Sequence, residues 1–382
     1  MRNQVLMVAS LVALATGCAH DGARWYKGNT HAHTVLCGHA DSTPVEVATW
    51  YLDRGYNFLI LSEHNKFIDP ASVKLPGNRR DDFILIPGEE ISGPKTIHTT
   101  GMNLDELVDW SFDSEHTSEI IQHHTDGAIA AGGVAILNHP NFRWAVTADD
   151  MLPVQRLHLF ELFNGHPLVN NQGDEEHIST EELWDVLLTQ GMAIYGVSSD
   201  DVHSLKRWGR DVSNPGRGWV MVRAETLTPD AITSAMQRGR FYATSGVILE
   251  TVTVTVPRRG YSQGYYDVAV DEAATARELK SDLILGRRVK HAVEGFRIQW
   301  IGPRGEVVSD MYATRSIRQI DPGVAYLRCR VTYARKVDGG YEEFYAWTQP
   351  VFTDGRLDTF SAAVQVAHAR DHAGGHTHAV GP

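Results

Sequence analysis

Short apolar segments alternate with helix-like segments between residues 24 and 247. The apolar runs lie at residues 58–62, 83–86, 133–137, 158–163, 192–197 and 219–223. Each run is apolar on both faces, as expected for a strand of a parallel sheet that is covered on both sides. The regular order of strand and helix therefore predicts an α/β barrel or a doubly wound sheet.

Helix starts are marked by local signals. Thr43, Pro44 and Glu46 combine an N-cap residue, a proline in the first turn and a capping-box glutamate, so a helix should begin here and end near residue 55. Residues 179–182 (Ser-Thr-Glu-Glu) predict a second helix that ends near residue 191. Residues 228–229 (Thr-Pro) predict a third that ends near residue 239.

The pattern changes after residue 247. Apolar and polar residues alternate at 249–256, 296–301 and 325–333, with glycine-rich turns between them. This alternation predicts a small all-β, sandwich-like module over residues 248–355. The Ala- and His-rich segment 356–382 is predicted to be a disordered tail rather than a chelating segment.

The N-terminus has the features of an export signal. A basic start is followed by an apolar run at residues 5–15 that is too short to span a bilayer. Residues 1–18 are therefore predicted to be a signal peptide, which places the protein in the periplasm or cell envelope. Residues 15–18 (Ala-Thr-Gly-Cys) resemble a lipoprotein signal, in which Cys18 carries a lipid that attaches the protein to the membrane. Ordinary cleavage near Ala19, with release, is the alternative.

Composition narrows the possible functions. The 382 residues include 35 basic and 47 acidic side chains, a net charge of −12, which argues against nucleic-acid binding because phosphate neutralisation needs clustered Lys and Arg. Three cysteines are too few for a disulfide framework. The 19 histidines are the unusual feature, so their positions matter most.

Many of these histidines, together with acidic residues, follow predicted strands. His31 and His33 are two residues apart and so point to the same side of an extended segment. Further polar residues at strand ends are Glu63, His64, Glu89, Glu90, Asn138, His139, Glu161, Asn164, Asp201 and His203. In a barrel these ends converge on one face. Neutral imidazoles and carboxylates in such a group are ligands for divalent cations.

Several of these segments resemble a known family. The motifs at 31–33 (His-Ala-His), 62–64 (Ser-Glu-His), 87–92 (Pro-Gly-Glu-Glu-Ile-Ser), 137–140 (Leu-Asn-His-Pro) and 199–203 (Ser-Asp-Asp-Val-His) are similar to those of the PHP (polymerase and histidinol phosphatase) metallohydrolases. Residues 161–165 and 239–246 resemble its carbaryl-hydrolase-like branch, and residues 346–352 resemble the end of the β module that this branch often carries. The resemblance implies a distorted seven-stranded (βα) barrel over residues 24–247 with two or three metal ions.

The resemblance also implies ligands. One ion would be held by His31, His33 and Asp201, a second by Glu90 as a bridge with His98 and His139, and a third by His39, His64 and His203. Glu89 remains an alternative to Glu90, and His123 and His124 remain alternatives to His98. The metal stays open between Zn, Mn and Fe, since nitrogen and oxygen ligands serve all three.

The chain departs from the family pattern at three places. Asn29 and Glu63 stand where the family usually has Asp, and residues 37–39 (Cys-Gly-His) replace a Ser-Asp-Gly turn. Asn29 and Glu63 could alter the support of the ligands. Cys37 is close enough to be a thiolate ligand, but we favour a bystander because histidines already fill the sites.

The expected activity is hydrolysis of a phosphoester in a small-molecule substrate. Two ions bridged by Glu90 would generate hydroxide near neutral pH. His64 and His203 would assist the leaving group if the third site is empty. Candidate phosphate clamps are Arg143, Lys206, Arg207 and Arg210. Hydrolysis of a carboxyl or carbamate ester is one alternative, and a non-catalytic metal-binding surface protein is another.

Overall fold

The structure is a computed structural model, and it describes residues 22–76, 82–255, 264–281, 283–354 and 356. The strands of the first part are β1 (Arg24–Asn29), β2 (Phe58–Ile60), β3 (Ile84–Ile86), β4 (Gly88–Ser92), β5 (His98–Met102), β6 (Val134–Leu137), β7 (Leu159–Asn164), β8 (Tyr195–Ser199), β9 (Trp219–Ala224) and β10 (Phe241–Thr244). Its helices are α1 (Pro44–Asp53), α2 (Thr117–Ala130), α3 (Ala148–Met151), α4 (Thr180–Thr189) and α5 (Pro229–Gln237). Each apolar run noted in the sequence overlaps one of these strands, so the strand positions are confirmed.

The second part is mostly strand. It contains β11 (Leu249–Thr255), β12 (Gly264–Val270), α6 (Glu272–Glu278), β13 (Arg287–Val289), β14 (Gly295–Ile301), β15 (Val307–Met311), β16 (Arg315–Ile320), β17 (Tyr326–Val337), β18 (Gly340–Thr348) and β19 (Val351–Phe352). The predicted signal peptide, the lipid on Cys18 and the predicted tail beyond residue 356 lie outside the described residues. Within those residues, none of the helices is long and apolar enough to cross a membrane.

The predicted helix starts are confirmed. Thr43 caps α1: its hydroxyl accepts a hydrogen bond from Glu46 N, and the Glu46 carboxylate accepts one from Thr43 N at 2.7 Å. Ser179 and Glu182 make the same reciprocal pair at the start of α4, and Thr228 caps α5. These starts depend on neighbouring residues in the chain, which is why the sequence reveals them.

The predicted seven-stranded (βα) barrel is wrong. The chain forms large mixed sheets, and no closed barrel is found among the described residues. The largest sheet has the order β15-β14-β17-β18-β10-β9-β1-β2-β3, with β13 beside β18 and β19 beside β17; a second runs β4-β5-β6-β7-β8, and a third β11-β12-β16. β1, β2 and β3 are parallel, as are β6, β7 and β8. β9 is antiparallel to β1 and β10, and β5 is antiparallel to β4 and β6.

The lengths of the connections explain why the strands do not form a parallel barrel. A parallel pair needs a crossover of about a dozen residues or more. Residues 93–97 are too few for that, so β4 and β5 form an antiparallel pair. Pro87 alone separates β3 from β4, and the chain passes from one sheet to the other at this residue. The hydrophobic pattern marks strands but does not specify their directions.

The two larger sheets meet at one end of the molecule. Beyond the strands themselves, isolated parallel bridges pair Ala32 with Val202 and His64 with Glu90. The backbone N–H of His33 also donates to the carbonyl of Val202 at 3.0 Å. The segments that follow β1, β2 and β8 are therefore held against each other and against β4, and their side chains converge.

The division at residues 247 and 248 stays a prediction, and a ladder of strands crosses it. β10 pairs with β18, with Tyr242 opposite Thr348. The side-chain amide of Gln349 donates to the carbonyl of Gly196 at 2.8 Å and accepts from its N–H at 2.9 Å. The C-terminal strands thus extend the sheet that contains β1, and Gln349 connects them to β8 of the second sheet.

Candidate metal centre

The nine side chains proposed as ligands lie together where the two sheets meet. His31 and His33 follow β1, His39 lies before α1, His64 follows β2, Glu90 is in β4, His98 begins β5, His139 follows β6, and Asp201 and His203 follow β8. Their donor atoms form sets that lie within 4.8 Å of one another: His31 with His33 and Asp201, His31 with Glu90 and His139, and His33 with His64 and His203. Residues that are far apart in the chain therefore share one small volume.

Glu90 is at the centre of this group and is fully buried. Its Oε1 lies 3.1 to 3.3 Å from ring nitrogens of three histidines, and its Oε2 lies 2.6 to 3.4 Å from those of two others. The first set is His31, His98 and His139, and the second is His33 and His64. One carboxylate thus faces two different sets of imidazoles.

Glu89 faces away from this group. Successive residues of a strand point to opposite sides, and Oε1 of Glu89 accepts a hydrogen bond from Val108 N at 2.7 Å. Burial raises the pKa of Glu89 to about 7, despite this hydrogen bond. The structure therefore places Glu90, rather than Glu89, among the imidazoles.

Asp201 joins His31 and His33 next to Glu90. Its Oδ1 lies 3.3 Å from Nε2 of both rings, and the two Nε2 atoms are 3.0 Å apart. Glu161 Oε1 contacts His31 Nδ1 at 2.8 Å, while its Oε2 accepts from the backbone N–H of His139 at 2.8 Å. In the neutral ring of His31, the contact with Glu161 places the proton on Nδ1, so Nε2 presents a lone pair.

His39, His64 and His203 form an outer group. Nδ1 of His39 lies 3.2 Å from the carbonyl of Cys37, and Nδ1 of His203 lies 3.0 Å from the carbonyl of Asp201. A carbonyl only accepts, so each Nδ1 is the protonated nitrogen. The two Nε2 atoms, 3.0 Å apart, then face each other with lone pairs. His64 lies beside them, with its ring centre 5.2 Å from that of His39.

The inner carboxylates are held ionised. Burial would raise the pKa of Glu90, but His98 and His31 hold it well below its usual range. The pKa of Asp201 is lowered in the same way, chiefly by His31. Conversely, burial would lower the pKa values of His31 and His33, but Asp201 and the other carboxylates raise both well above the usual range. In the metal-free chain, protons on these rings supply the charge that a divalent cation would bring.

His39, His98 and His203 are held neutral. Burial and the nearby His33 lower the pKa of His203 to about 3. Burial also lowers the pKa values of His39 and His98. Neutral imidazole is the form that binds a metal ion, so these rings are ready to act as ligands at neutral pH.

Unpaired atoms provide a test of whether cations fit. Glu90 Oε2, His33 Nδ1 and Glu63 Oε2 are buried and have no hydrogen-bond partner within the described part of the chain. Glu90 Oε2 does lie 2.6 Å from His64 Nδ1, but not in hydrogen-bond geometry. Buried polar atoms are rarely left unpaired. Since the donors are imidazole nitrogens and carboxylate oxygens, the residues fit divalent cations such as Zn, Mn and Fe.

Two of the proposed ligands have strained backbones. His139 has φ of 22° and Asp201 has φ of 50°, in the left-handed region that residues other than glycine rarely adopt. The Glu161 carboxylate holds the N–H of His139, and the carbonyl of His31 holds that of Asp201 at 3.0 Å. Such strain clusters at functional sites, where it fixes side-chain direction.

The residues that depart from the family pattern support the ligands. Asn29 Oδ1 accepts from the N–H of His31 at 3.0 Å, and Asn29 Nδ2 donates to Asp200 at 2.7 Å. Glu63 Oε1 accepts from the N–H of Thr34 at 2.6 Å. Both side chains therefore fix the segment that carries His31 and His33.

His123 and His124 lie on α2, apart from the central group. His124 is buried and its Nδ1 lies 3.2 Å from Thr99 Oγ1. His123 stacks on Phe112. His98, in contrast, contacts Glu90 directly at 3.1 Å.

The candidate phosphate clamps are dispersed. Arg210 donates to the carbonyl of Gly286 at 2.9 Å and contacts Glu342, so it is bound to the C-terminal strands. Lys206 and Arg207 are exposed. Arg210 is thus unavailable to a substrate phosphate at the centre.

Arg143 lies nearer to the proposed ligands. Its guanidinium carbon is 5.3 Å from the ring centre of Phe142, and that ring is 5.3 Å from the ring of His139. Arg143 itself is exposed. It is therefore positioned at the rim of the centre.

The sequence analysis gave no supporting role to two residues that contact the proposed ligands. Asn138 Nδ2 donates to Glu90 Oε1 at 2.9 Å, and Ser92 Oγ contacts His64 Nδ1 at 2.6 Å. The adjacency of Asn138 to His139 was a usable signal. Ser92 is two residues after Glu90 on the same strand, so alternation places both on one face.

Asp200 and His166 were also missed. Asp200 is buried and accepts from the N–H groups of residues 216–218 and from the hydroxyl of Tyr51 at 2.6 Å. His166 follows β7, and its ring centre lies 5.7 Å from that of His203. Asp200 anchors the turn after β8. His166 lies beside His203 of the outer group.

Comparison with known proteins adds no assignment. Neither the protein-family models nor the curated proteins contain a match to this chain. The PHP resemblance therefore depends on the sequence motifs alone.

Proposed function

We propose that this chain is a metal-dependent hydrolase of the PHP type that cleaves a phosphoester in a small molecule. The observation that supports it most is the environment of Glu90, whose two oxygens face different sets of histidines. A carboxylate in this position can serve two cations at once, as in hydrolases with paired metal ions. A storage or structural site would more simply be one closed shell of four ligands.

The proposed division of ligands is the one that the resemblance implies; the donor sets within 4.8 Å also place His139 with His31, and His64 with His33. His31, His33 and Asp201 would hold one cation, Glu90, His98 and His139 a second, and His39, His64 and His203 a third. Divalent cations here would supply Lewis-acid activation of water and of the attacked oxygen. Glu161 and Asn29 orient the inner segment. The side chains of His64 and His203 are 25% and 15% exposed, and if the third site is empty they would assist the leaving group instead of holding a cation.

Arg143 favours a phosphoester as substrate. It is exposed and packs on Phe142, which lies next to His139, and a guanidinium can bind phosphate oxygens with paired hydrogen bonds. The engagement of Arg210 by Glu342 favours the alternative, a carboxyl or carbamate ester, because that substrate needs fewer cationic clamps. The two substrate classes can be separated by one variant.

The experiment measures hydrolysis of p-nitrophenyl phosphate, its diester, and p-nitrophenyl and naphthyl esters, with added Mn²⁺ or Zn²⁺. Glu90→Gln should lower turnover by about 10³-fold or more and should lose bound metal, since the cations lose their shared carboxylate. Glu89→Gln is the matched control, because it alters the adjacent buried carboxyl without touching an imidazole. It should keep both metal and turnover.

Substrate class follows from Arg143→Ala. A loss of phosphoester turnover with unchanged ester turnover supports phosphoester hydrolysis, and the reverse preference supports the alternative. If the metal-replete protein cleaves none of these substrates while still binding two or more cations, the non-catalytic metal-binding function replaces the enzyme.

We also propose that the enzyme is exported and attached to the membrane through a lipid on Cys18. The support is the apolar run at residues 5–15 with small residues up to Cys18. Mass spectrometry of the mature N-terminus tests this. A lipid-modified Cys18 is expected, whereas an unmodified N-terminus near Ala19 would indicate release.

A further inference from the structure

Cys37 lies in the loop that carries His39, at the outer edge of the cluster. The donor atoms of Cys37, His39 and His203 lie within 4.8 Å of one another. The loop geometry is fixed by the N–H of Cys37, which donates to the carbonyl of Thr34 at 3.1 Å, and by Gly38, whose φ of 86° allows the tight turn. Sulfur and two ring nitrogens are therefore presented to one point.

The two rings at this point are arranged to share a cation. Each Nδ1 faces a backbone carbonyl, so each Nε2 carries a lone pair. Two lone pairs 3.0 Å apart cannot form a hydrogen bond with each other. A shared cation makes this contact favourable.

A second observation points to the sulfur. Cys37, His33 and Glu63 form another set of donor atoms within 4.8 Å. His33 Nδ1 and Glu63 Oε2 are both buried and without a hydrogen-bond partner in the part of the chain that the structure describes. A thiolate at Cys37 would give the Nδ1–H of His33 an acceptor, as ligating histidines require. Ala40 N already donates to Cys37 Sγ at 3.3 Å.

We infer that Cys37 is a thiolate ligand and that, with His39 and His203, it makes the outer site selective for Zn²⁺ over Mn²⁺. This inference rests on the proposed function, which places a cation beside these two histidines. On binding, the thiol proton passes to solvent water and sulfur donates an electron pair to the ion. Thiolate favours zinc, whereas the nitrogen and oxygen donors around Glu90 also suit manganese.

The test uses the full-length protein stripped of metal and titrated with Co²⁺, which reports sulfur ligation by a near-ultraviolet charge-transfer band. The wild type should show this band together with visible d–d bands. Cys37→Ser should lose the charge-transfer band and one equivalent of zinc while it retains the inner cations. Cys329→Ala is the control, since Cys329 is fully buried in the C-terminal strands, and it should keep the band. Cys18→Ala should also keep it.

A second measurement needs no variant. Zn²⁺ should protect Cys37 from alkylation by iodoacetamide, as mapped by peptide mass spectrometry, and Mn²⁺ should not. Cobalt d–d bands without a charge-transfer band, or alkylation of Cys37 at an equal rate with and without Zn²⁺, would overturn the assignment of Cys37 and leave the proposed hydrolase standing. Absence of any bound cobalt would overturn both.

Discussion

One group of carboxylates lies at the candidate metal centre, and another, of the buried Asp185 and the partly exposed Glu181, lies between α4 and β17. In the second group, Arg328 donates to Asp185 at 2.6 and 2.8 Å and to Glu181 at 2.9 Å, and Arg330 donates to Glu181 at 2.9 Å. All four carboxylate oxygens there have a guanidinium partner. At the metal centre, Glu90 Oε2 and Glu63 Oε2 have no hydrogen-bond partner among the described residues.

The two groups differ in the kind of side chain that faces their carboxylates. Guanidinium is permanently charged and has fixed donors, so the Arg328 group is complete as a part of the fold. Imidazole can give up its proton and offer a lone pair. The carboxylates of Glu90 and Asp201 are surrounded by such rings, which suits an exchangeable ion. One group should therefore respond to mutation through stability, and the other through bound metal.

The largest expected effect on stability is that of Arg328→Met. Arg328 is 1% exposed, and its loss would leave Asp185 buried without its charge partner. We expect unfolding free energy to fall by about 3–5 kcal/mol. Urea denaturation measures this, and metal content per folded chain should not change.

Arg315→Met is the matched control for this change. Arg315 pairs with Asp267 at 2.7 Å across two strands, but its side chain is 61% exposed. Its removal should cost less than about 1 kcal/mol. Equal effects of the two variants would show that the Arg328 group is not a buried structural cluster.

Low pH should reduce the stabilisation that Glu181 gains from Arg328 and Arg330. Burial would raise the pKa of Glu181, but Arg328 and Arg330 lower it to about 2 from the ordinary value of 4.5. Because the folded pKa is the lower one, this stabilisation is complete above about pH 4.5 and is lost as pH falls towards 2. It amounts to about 3 kcal/mol at most.

Urea denaturation at several pH values between 6 and 2.5 measures this loss. In Glu181→Gln the pH dependence should be weaker by about one titrating group. An unchanged slope would show that the two guanidinium groups do not lower the pKa of Glu181 in solution.

The fold could be predicted from the sequence only where the signals are local. The start of α1 depends on Thr43, Pro44 and Glu46, which are neighbours in the chain, and a local signal of this kind can be read directly. Strand positions follow from apolar runs for the same reason. The prediction of a barrel was wrong because it required every strand to run in the same direction. Strand direction depends on the lengths of the connections, such as the single residue Pro87, and on pairing with strands that are distant in sequence, such as β18.

The metal centre shows the same limit at the level of residues. Alternation indicates that Glu89 and Glu90 face opposite sides of β4, but it does not say which side holds the histidines. Asp185 and Arg328 gave no signal, since charged residues on a helix and a strand are usually exposed. Cys37 was set aside because the histidines already filled the predicted sites, and its closeness to His203 becomes visible only once β8 is placed.

Chelation should affect the metal centre and spare the Arg328 group. Removal of metal should lower the unfolding free energy by about 2.7 kcal/mol when free metal had been a hundredfold above its dissociation constant. Thermal or urea unfolding with and without chelator measures the difference. It should shrink in Glu90→Gln, which keeps the outer site, and persist in full in Glu89→Gln; an unchanged difference in Glu90→Gln would place the stabilising cation away from Glu90.

The smallest expected effect is that of Glu161→Gln. Glu161 contacts His31 Nδ1 at 2.8 Å and so holds its Nε2 towards Asp201, without contacting a cation itself. We expect metal affinity to fall by about 10–100-fold, since the amide holds the ring less firmly. Titration with a competing chelator measures it, with Glu89→Gln as a control of similar burial. If Glu161 binds substrate instead, KM would rise while metal affinity stayed unchanged, and its carboxylate would then belong to the substrate site rather than to the support of His31.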